Sequence, residues 1–203
     1  MCEGLLLIKT VSTLKTELTE NGPLDRLLAI WLTAKNTQPI PSREAIDSAL
    51  PRDLDRHLAI LEHRSQHEFV YLKSAPVSTE NTGIDRLGDN VFDLVPQLER
   101  PVRQKIVARI TQVPCIYLCV IPLLNIHDHP DVHVFNYARM LSLPVDPGEK
   151  TNGMLVYVGF EIFGNPTWDV FTVFNKTRIP FMLTDEFYDI GNGIDLPSGP
   201  GDR

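Results

Sequence analysis

The spacing of apolar residues predicts helices at the start of the chain and strands further along. A helical repeat of three and four residues is carried by Leu7, Val11, Leu14 and Leu18. We therefore expect an amphipathic helix within residues 1–20. Its apolar stripe must be buried, either on the chain's own domain or on a second copy of the chain. The second alternative makes these four residues candidates for a homodimer contact.

Alternating apolar positions predict two groups of antiparallel strands. Residues 56–65 and 69–75 are expected to form a hairpin. Three later segments are expected to form a meander: residues 115–124, 134–145 and 154–163. With further helices before the hairpin and between the two groups, this order predicts an α+β fold built on a five-stranded antiparallel sheet.

The helix between the two groups of strands is predicted over residues 98–113. Its inner stripe is expected to be Val102, Ile106, Ile110 and Val113. This phase places most of the basic side chains of the helix, Arg103 among them, on the outer side.

A helical insert over residues 81–96 is expected to lie on one face of the sheet. Gly83 and Gly88 bracket a short turn, and Asp89 or Asn90 can cap a second short helix. Such an insert encloses a small cavity against the sheet. The main domain then covers residues 21–163.

A C-terminal extension covers residues 164–203. Its aromatic residues suggest a segment that packs back on the domain or docks on another chain. Residues 191–203, rich in glycine, proline and aspartate, are expected to be disordered.

Charge and cysteine content restrict the class of protein. The formal net charge of -7 argues against a nucleic-acid-binding surface, which needs a basic patch. No apolar run approaches the ~20 residues of a membrane span. The three cysteines, an odd number, do not suit a disulfide framework, so we expect a cytoplasmic protein.

Three short motifs resemble those of one protein family. They are residues 41–47 (Pro-Ser-Arg-Glu-Ala-Ile-Asp), residues 83–88 (Gly-Ile-Asp-Arg-Leu-Gly) and residues 136–144 (Asn-Tyr-Ala-Arg-Met-Leu-Ser-Leu-Pro). With the order of elements, they resemble the PAS domain, and more closely a stand-alone PAS-like family of alphaproteobacteria once catalogued as a domain of unknown function. The resemblance covers about residues 23–163.

The resemblance implies a sensory or protein-interaction module rather than an enzyme. Such a module would regulate a signalling partner and would hold a small molecule in its cavity. We also expect a homodimer. No haem is expected, because the helix over residues 98–113 contains no histidine. No covalent flavin is expected, because neither Cys115 nor Cys119 resembles the flavin-attaching motif of light-sensing relatives.

The predicted inner sheet face and the insert supply candidates for the cavity lining. Aromatic rings with hydroxyl tips suit a small, partly polar ligand. The candidates are Tyr71, Phe92, Tyr117, Cys119, Tyr137, Arg139 and Tyr157. A core filled by the same side chains is the alternative. Arg139 shares the face of Tyr137, so it either anchors an anion in the cavity or lies at a strand edge.

A histidine-rich segment offers a chemically different alternative. Its imidazoles, those of His127, His129 and His133, lie near Asp128 and suit zinc or nickel, although the same residues also suit an exposed turn. The protein would then be a small-molecule- or metal-binding protein, or an enzyme that uses this loop. No nucleophile elbow, phosphate-binding loop or dinucleotide fingerprint accompanies these residues, so we expect no enzymatic activity.

Overall fold

Seven strands join into one sheet, and helices cover both of its faces. The computed structural model describes residues 8–113, 115–124, 135–148, 153–163 and 184–190. The strands are β1 (Ile8–Thr10), β2 (Leu58–Ser65), β3 (Glu68–Lys73), β4 (Ile116–Leu124), β5 (Phe135–Val145), β6 (Met154–Phe163) and β7 (Thr184–Asp189).

The strand order is β1-β7-β4-β5-β6-β2-β3. Neighbouring strands are antiparallel except β1, which lies parallel to β7. The predicted hairpin (β2 and β3) and meander (β4 to β6) are confirmed, and β2 joins them by pairing with β6. The α+β class and the antiparallel sheet are therefore confirmed. The expected strand count of five is too low, because β1 and β7 extend the sheet beyond β4.

The early helices pack on one face of the sheet and the later ones on the other. They are α1 (Val11–Glu17), α2 (Pro23–Lys35), α3 (Arg43–Ala49), α4 (Arg52–Asp55), α5 (Pro76–Thr82), α6 (Val91–Leu94) and α7 (Arg100–Gln112). Residues of α1, α2 and α3 bury one face of the sheet, which we call the outer face. Residues of α6 and α7 pack on the opposite face, which we call the inner face.

Helix α2 fits closely on the outer face. Trp31 is fully buried, and its Nε1 donates a hydrogen bond of 2.8 Å to the carbonyl of Pro144 on β5. Gly159 on β6 leaves room for two leucines of α2, because a Cβ atom there would meet Leu24 Cδ2 at 2.8 Å and Leu27 Cδ2 at 2.7 Å. The sequence thus places its small residue where helix and sheet approach most closely.

The N-terminal helix is shorter than predicted. Residues 8–10 form β1, and α1 begins only at Val11, where the Thr10 side chain caps it. Leu14 is fully buried and Leu18 is 6% exposed, both in the core of the outer face. Val11 is half-buried against the same core, and Leu7 lies outside the described residues. Leu14 and Leu18 therefore pack on the core of their own chain, and a homodimer contact through this stripe stays a prediction.

The inner stripe of α7 is rotated from the predicted one. Val102 is 55% exposed and Val113 40% exposed, whereas Arg103 is only 8% exposed. The buried positions are Arg103, Ile106, Val107, Ile110 and Thr111, which follow a helical repeat. The prediction placed the two valines on the inner side of the helix because they are apolar. In the structure, Arg103 occupies an inward-facing position instead.

Part of the C-terminal extension belongs to the sheet. Strand β7 pairs with β4 on one side and β1 on the other. The hydroxyl of Tyr188 joins β7 to α1, because it lies within hydrogen-bonding distance of Glu17 and 2.5 Å from Glu186 Oε2.

The described part of the chain contains no helix with the length and apolar character needed to cross a lipid bilayer.

Candidate ligand cavity

A cavity of about 320 Å³ lies between the inner face of the sheet and the helices α5, α6 and α7. The sheet contributes Tyr71, Tyr117 and Ser142, among others, and the segment between α5 and α6 contributes Ile84 and Arg86. The predicted position of a cavity, between the sheet and the insert, agrees with this arrangement. Its volume is at the small end of ligand-binding sites.

The insert is tied to the edge strand β3 by backbone hydrogen bonds. The amide of Tyr71 donates to the carbonyl of Asp89 at 3.0 Å, and the amide of Gly88 donates to the carbonyl of Tyr71 at 2.9 Å. The Asn90 side chain, which caps α6 as expected, also accepts from the amide of Phe69 at 3.1 Å. These bonds hold the insert beside a residue that lines the cavity.

Arg103 brings a permanent positive charge to the cavity wall. It is 8% exposed and lines the cavity, and its Nη1 donates to the hydroxyl of Tyr117 at 3.4 Å. A guanidinium group stays protonated at any physiological pH. The ring of Tyr117 packs against Phe187 of β7, with 4.9 Å between ring centroids, which fixes the acceptor.

Arg86 supplies a second positive charge on the more exposed side of the cavity. Its side chain is 34% exposed, and its Nη1 lies 3.3 Å from Asp89 Oδ2. Burial raises the pKa of the nearby Tyr71 hydroxyl, the charge of Asp89 acts in the same direction, and the charges of Arg86 and Arg103 act in the opposite direction. Tyr71 is therefore a neutral hydroxyl, able to donate a hydrogen bond, within the field of both arginines.

The candidate residues named from the sequence fall into four groups, of which the first two lie on the inner face. Tyr71 and Tyr117 line the cavity. Phe92 and Cys119 are buried in the inner-face core but are not part of the lining, and Phe92 instead stacks against Phe69 at 6.1 Å.

Tyr157 and Arg139 lie on the outer face and do not reach the cavity. Tyr157 is buried in the outer-face core, and its hydroxyl donates to Asp47 Oδ1 at 2.5 Å, while burial raises its pKa. Arg139 Nη1 lies 3.2 Å from Glu161 Oε2 on the neighbouring strand. Neither alternative for Arg139, an anion anchor in the cavity or a strand-edge position, describes it, because it lies in the middle of β5 and is paired with β4 on one side and β6 on the other.

Several predicted residues cannot be compared with the fold. The histidines of the candidate metal site, His127, His129 and His133, lie outside the described residues. The backbone of Tyr137 pairs with Pro122 and Phe163, but its side chain is not described. Within the described ranges, no group of three or more histidine, cysteine or carboxylate side chains is placed to hold a metal ion. The histidine loop remains a prediction.

Cys115 and Cys119 lie on the same side as Tyr117, as the period of a strand predicts. Neither forms a disulfide bond, both are fully buried, and burial raises the pKa of the Cys115 thiol to about 12. A buried, protonated thiol is a poor nucleophile, so Cys115 serves as a small core residue.

Sequence reasoning missed the two arginines that face the cavity. Arg103 was placed on the outer side of its helix, and Arg86 was treated only as part of the turn motif. The signal for Arg103 was its helical spacing from Ile106, Val107 and Ile110, which outweighs the apolar character of Val102.

No family model, curated protein or solved structure matches the chain.

Proposed function

We propose that the protein is a PAS-like sensory module that holds a small molecule in the inner-face cavity and regulates a partner protein. The observation that carries this proposal is the cavity itself, which is enclosed by sheet and insert and lined by apolar side chains with a few converging polar groups. This composition is typical of small-molecule sites.

The order of elements supports the same proposal. A hairpin, a helical insert, a longer helix and a three-stranded meander follow one another, and the insert and the longer helix lie on one face of the sheet. This is the arrangement that the resemblance to PAS domains implies. Strands β1 and β7 are additions to that arrangement at the β4 edge.

The insert offers a route from ligand to partner. Ile84, Arg86 and Leu94 face the cavity, whereas Leu87 and Leu98 of the same region are 63% and 76% exposed. A ligand that contacts the inner side chains favours one position of the insert over others, and this changes the apolar surface presented outside. A partner that binds this surface would sense occupancy of the cavity.

A pair of valine substitutions on one strand tests whether the cavity is open. Val158 lines it, whereas Val156, two residues earlier on the same face, is fully buried in the core beside it. We expect Val158→Phe to be tolerated within about 1 kcal/mol of unfolding free energy, because its ring enters free space. Val156→Phe should cost about 1–3 kcal/mol through overpacking. Equal losses for both variants would mean a filled core and would contradict the proposal.

The proposal that the cavity regulates a partner protein is tested by identifying a bound ligand and a partner. Native mass spectrometry of the purified protein should show a bound small molecule that is absent from Val158→Phe. Wild-type and Val158→Phe protein, each immobilised and exposed to lysate of the source cell, should retain different partners. If both retain the same proteins in the same amounts, occupancy of the cavity does not regulate binding.

A further inference from the structure

The charges in the cavity lining are all of one sign. Among the described residues that line it there are two arginines, Arg86 and Arg103, and no aspartate or glutamate. Arg86 lies at the more exposed side of the cavity and forms an ion pair with Asp89. Arg103 is deeper, at 8% exposure, where a charge acts through a medium of lower dielectric constant than water. The described part of the lining therefore brings positive charge, and no carboxylate, to the cavity.

Several residues of the lining carry hydrogen-bond donors. The guanidinium of Arg103 carries five N–H donors in a planar fork, which matches the two oxygens of a carboxylate. Three residues with hydroxyl groups, Tyr71, Tyr117 and Ser142, also line the cavity, and the Tyr117 hydroxyl lies 3.4 Å from Arg103 Nη1. A carboxylate placed here would accept charge-assisted hydrogen bonds, which are about twice as strong as neutral ones.

Most of the remaining lining is apolar, although Ser78 and Thr82 also belong to it, and this apolar surface would contact the hydrocarbon end of a ligand. It includes Ile106, Val107 and Ile110 of α7, together with Ile121, Met140 and Val158 of the sheet. At the ~30 Å³ that one water-sized unit occupies, a volume of about 320 Å³ holds roughly ten non-hydrogen atoms. A single carboxylate uses three of them, so the apolar body has about seven.

We propose that the cavity selects a small amphipathic acid, with its carboxylate on Arg103 and its hydrocarbon body against the side chains of α7 and the sheet. The inference rests on the proposed function, in which the cavity binds a ligand, and it adds the chemical class of that ligand. A neutral molecule of the same shape would make no charge-assisted hydrogen bond with the guanidinium and would bind more weakly.

Octanoate and octanamide form a matched pair of probes, because they differ only in carboxylate against amide. Titration calorimetry on the full chain, cleared of bound molecules on a hydrophobic resin, should show octanoate binding at least about tenfold more tightly than octanamide. Arg103→Met, which keeps an apolar stem of similar length, should remove this preference. Lys105→Met is the control, because Lys105 is an exposed cation of the same helix and should leave the preference unchanged.

Each outcome decides the inference. Equal affinities for the two probes in the wild type would overturn the anion class while leaving a small-molecule function intact. Binding of neither probe would also overturn it, and the separate comparison of Val158→Phe with Val156→Phe would then show whether the cavity itself is closed. A preference for the acid that survives in Arg103→Met, or that is lost equally in Lys105→Met, would overturn the role of Arg103. The molecule extracted from natively purified protein gives an independent check, since a neutral or cationic compound contradicts the inference.

Discussion

Replacing Leu14 with alanine tests where the N-terminal apolar stripe is buried. Leu14 is fully buried in the outer-face core. The substitution removes three carbon atoms, which at ~0.8 kcal/mol each gives a transfer loss of about 2.4 kcal/mol. The remaining cavity raises the expected loss of unfolding free energy to about 3 kcal/mol. For a chain of this length, this corresponds to a fall in melting temperature of about 6–12 °C.

Urea denaturation followed by far-UV circular dichroism measures this loss. The neighbouring Lys15, which is exposed on the same helix, provides the matched control, and Lys15→Ala should stay within about 0.5 kcal/mol of the wild type. Because Leu14 packs on its own chain, the midpoint of wild type and variant should not depend on protein concentration.

Two results would refute this reasoning. A loss below about 0.5 kcal/mol for Leu14→Ala would mean that the side chain is not buried in the folded chain. A wild-type midpoint that rises with protein concentration, and a Leu14→Ala midpoint that does not, would show that the stripe is a dimer contact. Light scattering would then find the wild type as a dimer and the variant as a monomer.

Three further predictions concern the core and its response to pH. Trp31→Phe should lower the unfolding free energy by about 1–3 kcal/mol in urea denaturation, because the buried Pro144 carbonyl loses its donor; an unchanged value would contradict the bond. Gly159→Ala should destabilise by about 1–3 kcal/mol in the wild type and by less in a Leu27→Ala background, where the missing leucine atoms make room for the methyl group. Burial lowers the pKa of His63 below 6.5, so the unfolded chain binds more protons there and stability falls as pH falls through that value. The melting temperature of the wild type should therefore drop more between about pH 7.5 and 5.5 than that of His63→Gln, and parallel curves would contradict this.

Local patterns in the sequence were sufficient to predict the central strands. Strands β2 to β6 have runs of apolar residues of strand length bounded by polar turns, and all five were found. Strand β1 was missed because Leu7, Val11, Leu14 and Leu18 continue a helical repeat through its three residues. Helix α5 was missed because it has no buried residue, so no apolar stripe marks it.

The residues that face the cavity are determined by the register between strands, and this register cannot be read from the sequence alone. Tyr117 pairs with Ser142 on β5, and Ser142 pairs with Val158 on β6. Tyr157 is one residue away from Val158 and therefore points to the opposite face, because side chains alternate along a strand. Arg139 is three residues from Ser142 and is displaced to the outer face for the same reason. The sequence could predict the cavity, but only the pairing of strands decides its lining.

The pairing of β1 and β7 has a consequence for synthesis of the protein. Strand β4 acquires its second neighbour only when β7 has been made, and β1 must wait for the same strand. From Leu124 at the end of β4 to Thr184 at the start of β7 the ribosome adds 60 residues, which takes about 3–12 s at ~5–20 residues per second. During this interval the nascent chain presents an unpaired apolar edge strand, the kind of surface on which strands of other chains add. A chain truncated before residue 184 would keep that edge and should accumulate in the insoluble fraction.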